Sequence, residues 1–299
     1  LPVTVQTFYM VTPLSVIANL AAVPISFALF CLGLVFIFCA WLAPVVELLM
    51  TALTVSLTAI EHLPGATLTV GRLSPVLWVF LTGGIFYLFL TRNFRTRWVR
   101  AAALIIFSFN IFMFQEALRF FSISDGMEIT MLDVGQGDSI YIEFPGRSNC
   151  LIDAGKGGQG DRGRFVIAPF LKSRGIRSID VLVMSHPQED HIGGMPFLFD
   201  EFKIRAVLGP DSPSSTRLFK KLNEKIASMN CRRWMAAGGD RLEGFPRTQM
   251  IVLSPPKNLV YSKDANVDSL LLKINQVNFS FLTTGDVEEK GMEALLGDD

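Results

Sequence analysis

The chain has 299 residues, room for two domains of ordinary size. Half of them are apolar, 18% are charged and the formal net charge is zero, which excludes a disordered chain and an ordinary cytosolic globule. Residues 1–121 hold six Arg, no Lys, three Glu and no Asp, and the rest hold 21 basic and 24 acidic residues, so a membrane-like half precedes a near-neutral soluble half with no basic field that would mark a nucleic-acid surface.

No charge occurs from Leu1 to Val46. Within that stretch, residues 26–46 (SFALFCLGLVFIFCAWLAPVV) are long enough to span the hydrocarbon core of a bilayer. The preceding FYMVTPLSVIANLAAVPI contains Pro13, Asn19 and Pro24. It reads either as a broken or re-entrant helix that lines a pore, or as a Pro-kinked second span. LLMTALTVSLTAI, between Glu47 and Glu61, has only 13 residues and fits an interfacial or re-entrant segment. HLPGATLTVG supplies a turn and loop, with His62 at the interface.

Residues 74–91 (SPVLWVFLTGGIFYLFLT) are the second good span, and RNFRTRWVR follows with four arginines in nine residues. The next uncharged run, residues 101–115, crosses a membrane if Arg100 and Arg119 snorkel; an amphipathic surface helix is the alternative. Short basic loops stay cytoplasmic, so if this run crosses, the soluble half lies on the outer face. The chain starts at Leu1, not Met, and reads as an internal fragment on which no signal peptide can be judged. Cys31 and Cys39 lie in apolar sequence as small core residues. Cys150 and Cys231 read as free thiols unless an oxidising compartment pairs them.

From Met127 the pattern changes to short strands punctuated by Gly and Asp: EITMLDVG, SIYIEF and CLIDAG. A glycine-rich loop, GKGGQGDRG, leads into helix-like FVIAPFLKSRG, and IDVLVMS is a buried strand ending at His186. Helix-like RLFKKLNEKIASM and the strands MIVLSP, LLLKI and FSFLTTGD follow. Strands early, with helices interleaved, predict a layered α/β sandwich and not a doubly wound parallel sheet.

The chemistry concentrates in His186-Pro187-Gln188-Glu189-Asp190-His191-Ile192-Gly193-Gly194, which holds two of the chain's three histidines. A strand ending in His-x-x-x-Asp-His, then Gly-Gly and a helix, places imidazole and carboxylate donors at a sheet edge. Such a set suits Zn²⁺, Mn²⁺ or Fe and the polarisation of water for hydrolysis; a turn of hydrogen-bonded polar residues is the plainer alternative.

SHPQEDHIGG resembles the HxHxDH signature of the metallo-β-lactamase fold. The series MLDVGQGDS, LIDAG, IAPFLKSRGIRSIDVLVMSHP and FLTTGD is similar to its branch in the ComEC competence family, and PLSVIANLAAVPI and LPGATLTVG resemble that family's transmembrane competence domain. The resemblance implies a multidomain membrane protein: an α-helical transmembrane channel domain over residues 1–121, then an αββα metallo-β-lactamase-like sandwich over 122–299 that is incomplete at its C-terminal end. It implies one or two divalent ions, Mn²⁺ or Zn²⁺, and an inner-membrane DNA-uptake protein whose outer-face domain hydrolyses DNA phosphodiesters while a single strand crosses. Its partners would be DNA, membrane lipid and other competence-machinery proteins.

Carried over by position, His186 is a ligand of the first metal and Asp190 and His191 of the second, with Asp286 shared. Asp133, Asp138 and Asp153 match aspartates that shape or line the site, and Asn266, Asp268 and Ser269 fall in an Asn/Ser-containing substrate motif. Gln188 departs from the family's His or Asp; its neutral amide oxygen is a weak ligand, better suited to Mn²⁺ than to Zn²⁺. The fold's distal histidine would lie beyond Asp299.

Plainer roles stand beside these. Asp286 with Glu289 also makes a helix capping box, and Asp133 and Asp138 suit Asx turns. Residues 155–163 are a flexible loop or, without a Walker ending, a phosphate cradle. Lys220, Lys221, Lys225, Arg232 and Arg233 form a solvated face or touch DNA phosphates. Two other functions stay open: a transporter domain that guides DNA without cutting it, and a hydrolase of another substrate.

Overall fold

The structure, a computed structural model, describes residues 7–36, 40–90, 94–121, 126–211, 214–229, 231–257, 266 and 268–287. Cys39, the helix expected after Asp286 and residues 122–125 at the expected domain limit lie outside them. The chain divides into two compact units, Leu1–Thr82 and Gly83–Asp299.

The first unit is helical. α1 (Ser15–Phe36) runs unbroken through Pro24, and α2 (Ala43–Glu61) follows. Both are long and apolar enough to cross a membrane by length and composition. This corrects two expectations. The apolar run 26–46 is not one span, because Pro44 stands in the first turn of α2, where its missing N–H costs nothing. The segment that follows is not a 13-residue fragment, since the helix takes in Glu47 and runs on to Glu61. Pro24 removes one backbone hydrogen bond, whereas a break would expose several, so an apolar helix keeps its course. A short antiparallel pair, β1 (Met10–Val11) with β2 (Leu68–Thr69), closes the unit.

α3 (Pro75–Leu90) extends from the first unit into the second, and α4 (Phe94–Phe121) is a single helix of 28 residues whose apolar part is Trp98–Phe114. Polar side chains inside these helices bond back to their own backbone. Thr54 and Thr58 Oγ1 donate to the carbonyls of Met50 and Thr54, Thr82 Oγ1 to Trp78, and Asn110 Nδ2 to Ile106. Such bonds satisfy a polar side chain within its own helix, with no need of an outside partner.

The rest of the second unit is a sandwich. Its larger sheet comprises β3 (Glu128–Met131), β4 (Ile140–Glu143), β5 (Asn149–Ile152), β6 (Ser178–Val183), β7 (Lys203–Gly209) and β8 (Arg232–Met235), in that spatial order. β3, β4 and β5 pair antiparallel, and β5 through β8 pair parallel. The smaller, antiparallel sheet holds β9 (Arg241–Leu242), β10 (Thr248–Ser254), β11 (Leu271–Gln276) and β12 (Phe279–Thr283). α5 (Ala168–Ser173), α6 (Glu189–Ile192), α7 (Met195–Glu201) and α8 (Arg217–Ser228) complete the described unit.

Side chains alternate across a strand, and here the alternation builds two cores. Ile142, Cys150, Ile152, Val181, Val183 and Leu208 face the smaller sheet and meet Met250, Val252, Leu272 and Ile274. Tyr141, Leu151, Leu182 and Val207 face the other way, onto Leu171, Leu198, Phe219 and Leu222 of the helices. Among the described residues the layers are therefore helix, sheet, sheet. Cys150 is buried, Cys231 is half-buried, and both are free thiols.

Arg174, which follows α5, ties down the edge of the larger sheet. It pairs with Glu128 of β3 and Glu143 of β4 and lies over the rings of Phe170 and Tyr141, at 5.2 and 5.9 Å. The Arg174 hydrogen bond holds the Glu128 carboxyl below its ordinary 4.5, against a smaller opposing effect of burial. A depressed carboxylate stabilises the fold above its unfolded value and stops doing so as pH falls through the folded one. NMR titration should therefore place the Glu128 midpoint below 4.5, and Arg174→Ala should raise it and loosen β3 at neutral pH.

Candidate metal centre

Parallel strands deliver their carboxyl ends to one edge, and there the β5–β6 register pairs Ile152 with Val183. The chain leaves β5 at Asp153 and β6 through Met184, Ser185 and His186, so these residues emerge side by side. Asp153 adopts a left-handed backbone (φ 58), a conformation that Asp tolerates better than most residues. Its buried carboxylate reaches across the strands. Oδ1 accepts the Ser185 N–H at 2.8 Å, and Oδ2 accepts Ser185 Oγ at 2.6 Å and His191 Nδ1 at 2.8 Å.

These bonds fix the ring tautomers. Ser185 gives its hydroxyl hydrogen to Asp153, so toward His186 Nδ1, 3.0 Å away, its oxygen acts as acceptor. Both imidazoles then carry hydrogen on Nδ1 and turn Nε2 toward the site. The rings lie 4.1 Å apart, fully buried, and neither Nε2 has a hydrogen-bond partner among the described residues. Asp286, in the turn after β12, brings Oδ1 to 3.3 Å from His191 Nε2, close enough for charge attraction although not in hydrogen-bond geometry. Donor atoms of His186, His191 and Asp286 all lie within 4.8 Å of one another.

Burial works against a charged His191, but the Asp153 hydrogen bond and the nearby Asp286 and Asp190 charges outweigh it and raise the ring to about 9. Burial, and then the charge of His191, hold His186 below the ordinary histidine value. The two neighbours are thus pushed apart, one cationic and one neutral. Two buried, orphaned imidazole nitrogens beside a carboxylate are the donor set of a divalent metal ion, and the residues fit one: it would replace the His191 proton and use the lone pair that His186 already presents.

The other expected site residues fall around this cluster. Asp138 stands at the rim, its carboxyl raised by partial burial, then lowered by His191 and raised again by Asp153 and Asp286. Gly137 (φ 89) packs against the Asp190 carbonyl, so closely that a Cβ would come within 1.8 Å of it. Asp190 itself is half-buried, and its charge reaches His191, but it is not one of the three clustered donors. Gln188 donates from Nε2 to Asn266 Oδ1 at 2.5 Å. Asn266 accepts the Ser269 N–H through its carbonyl, and Asp268 and Ser269 are fully buried. Asp133 is exposed and accepts the Gly135 N–H at 3.2 Å, the geometry of an Asx turn.

Two features escape a reading of the sequence. Ser185 is the node of the network, bonded to Asp153 and His186 by side chain and to Leu270 N–H by its carbonyl. The glycine-rich loop is no loose surface loop. A Cβ on Gly157 would meet the Gly193 carbonyl oxygen at 2.6 Å, and one on Gly163 would meet that of Gly194 at 2.3 Å. Gly157 and Gly163 of the loop thus dock backbone to backbone on the Gly-Gly that follows His191. The only clue in the sequence was the recurrence of glycine in both segments.

The description "Metallo-beta-lactamase superfamily" matches residues 132–221, and "Competence protein" matches residues 1–95. The chain is 30% identical over 187 residues to ComE operon protein 3 of Bacillus subtilis (strain 168), covering 56% of this chain and 23% of that protein. It is 28% identical over 169 residues to Competence protein ComA of Neisseria gonorrhoeae, covering 56% and 21%. It therefore spans less than a quarter of the length of these relatives. Among solved structures, a metallo-β-lactamase from Cronobacter sakazakii with the HARLDQ motif superposes with a TM-score of 0.36 at 16% identity, over 55% of this chain and 57% of that one. The chain thus joins a competence-protein region, residues 1–95, to a metallo-β-lactamase superfamily region, residues 132–221, the two regions on which its resemblance to the ComEC-type competence proteins rests.

Proposed function

We propose that this chain is part of a DNA-uptake protein of the cytoplasmic membrane, and that its sandwich is a metal-dependent hydrolase of DNA phosphodiesters. The observation that carries this reading is the His186–His191–Asp286 donor cluster, set in a metallo-β-lactamase region that follows a competence region in one chain. When bound, one or two divalent ions such as Mn²⁺ or Zn²⁺ supply Lewis acidity toward a phosphoryl oxygen and acidify water. His186, His191, Asp286 and Asp190 hold the metal; Asp153 and Ser185 orient the imidazoles and keep hydrogen on Nδ1. One strand is cut and the other passes the helical region. The arginines of residues 92–100 favour the cytoplasmic side, which supports an outer-face position for the sandwich. DNA, lipid and competence-machinery proteins are the partners that this reading entails.

The test uses the 299-residue chain in detergent micelles with end-labelled single- and double-stranded DNA, in Mn²⁺, Zn²⁺ or EDTA. Cleavage should require metal and fall at least 100-fold in Asp190→Ala and in His186→Ala. Cleavage that persists in EDTA, or in both variants, overturns the hydrolase. A second reading, a module that guides DNA without cutting it, draws support from Gln188, whose amide is bonded to Asn266 where a charged or imidazole ligand would be expected. No cleavage under any metal by a folded chain that still binds DNA would favour that reading.

A further inference from the structure

Beside the donor cluster opens a cleft of about 950 Å³. Gly157 of the glycine-rich loop, Gln188 and Asp190 of the histidine motif, Thr216 at the N-cap of α8, and Arg217 and Lys221 of α8 all line it. Asp190, next in sequence to the clustered His191, and the start of α8 therefore share one open space.

The chemistry of this lining is divided. The histidine motif contributes the carboxylates of Glu189 and Asp190, where cations belong. α8 contributes two cations and no acid. Arg217 and Lys221 are one helical turn apart and so share a face, while Phe219, Leu222 and Ile226 anchor the helix in the core. Thr216 caps the helix by accepting the Phe219 N–H at 3.3 Å, which fixes where that face begins. Among the described residues, neither Arg217 nor Lys221 has a carboxylate partner. Lys225, one turn further on, is neutralised by Asp200, and Lys172 by Glu201. Of the four cations of α8, Lys225 is thus spent on the fold, Lys220 is exposed outside the cleft, and Arg217 and Lys221 line it.

We infer that Arg217 and Lys221 grip the phosphates of a nucleic-acid strand that flank the one at the metal centre. The cleft thereby becomes a backbone-reading groove that selects a polymer over a small phosphodiester. The inference rests on the hydrolase reading for its substrate, but the groove makes its own prediction about binding. Two phosphate contacts on a single strand add about 1.4 to the slope of log affinity against log salt. The contacts fall on the backbone, so their loss weakens all sequences alike.

The experiment measures fluorescence anisotropy of a labelled single-stranded oligonucleotide with the full chain in micelles, in EDTA, across a salt series. Wild type is compared with the double variant Arg217→Ala/Lys221→Ala and with Lys220→Ala, an exposed neighbour that does not line the cleft. Hydrolysis of bis(p-nitrophenyl) phosphate and of the oligonucleotide is followed in parallel with metal. The double variant should bind about tenfold more weakly with a shallower salt slope, and raise KM for the oligonucleotide while leaving the small ester unchanged. Lys220→Ala should bind within twofold of wild type. Equal binding by wild type and double variant overturns the groove and leaves the hydrolase standing, as does an equal loss in Lys220→Ala, which would be bulk charge. Loss of binding in the double variant without cleavage by any protein supports the groove and sinks the hydrolase.

Discussion

Asp153→Ala should be the most damaging single substitution in the sandwich, removing about 3–5 kcal/mol of stability. The carboxylate is buried and accepts three hydrogen bonds, from Ser185 N–H, Ser185 Oγ and His191 Nδ1. Alanine leaves all three donors without an acceptor in a dry site, and it must hold a left-handed backbone that costs a non-glycine residue about 1–2 kcal/mol. Asp153→Asn separates folding from function. Its amide oxygen still accepts from Ser185, but its NH₂ faces the Nδ1–H of His191 and disturbs that ring's tautomer. This variant should fold, with Zn²⁺ or Mn²⁺ affinity down about 10–100-fold. Hydrogen exchange at the β6 amides reports the first effect and metal titration calorimetry the second. Wild-type metal affinity in Asp153→Asn would show that the carboxylate does not position His191.

Gly193→Ala should be nearly as harmful, for a steric reason. A Cβ there would lie 2.1 Å from the nitrogen of Gly157, 2.4 Å from the carbonyl oxygen of Glu189 and 2.8 Å from the carbonyl carbon of Lys156. All three are backbone atoms, so no side chain can swing away, and overpacking of this kind costs about 1–3 kcal/mol or more. Relief requires the glycine-rich loop to part from α6, which carries His191. A displacement of 1 Å at such a site costs on the order of 100-fold in rate. Gly158→Ala is the matched control. It lies in the same loop with positive φ, but a Cβ there meets nothing within 4 Å, so only local strain of about 1 kcal/mol is expected. Equal metal affinity and DNA cleavage in Gly193→Ala and wild type would mean that the loop does not hold the motif in place.

The docking of glycine on glycine also shows where the sequence stops being legible. Residues 155–163 looked like a mobile loop because composition reports what a segment can do alone, and five glycines alone are flexible. Only a partner backbone at contact distance makes the missing Cβ a requirement. The long apolar helices teach the same lesson. Hydropathy located their apolar stretches, but the division near Pro44 and the extension of α2 past Glu47 depend on which backbone groups are satisfied. β7 and β8 are not legible as strands because KIRAVLG carries charge at two of seven positions and RRWM at two of four, and they gain their strand character from pairing, β7 with β6 and β8 with β7.

Local pattern sufficed for what is local. The apolar first half, the period-two strands of the sandwich and the five-residue spacing of His186 and His191 each follow from side-chain chemistry within a few residues, and all are plain in the amino-acid order. The convergence of His191, Asp153 and Asp286 is of another kind, because 38 residues separate the first two in sequence and Asp286 sits in the turn that follows the last strand of the other sheet. A resemblance named those residues in advance. Their hydrogen bonds, the tautomers that these impose and the paired cations of α8 beside the cleft were decided by the packing of the sheets and helices, because burial and distance are properties of the folded chain alone.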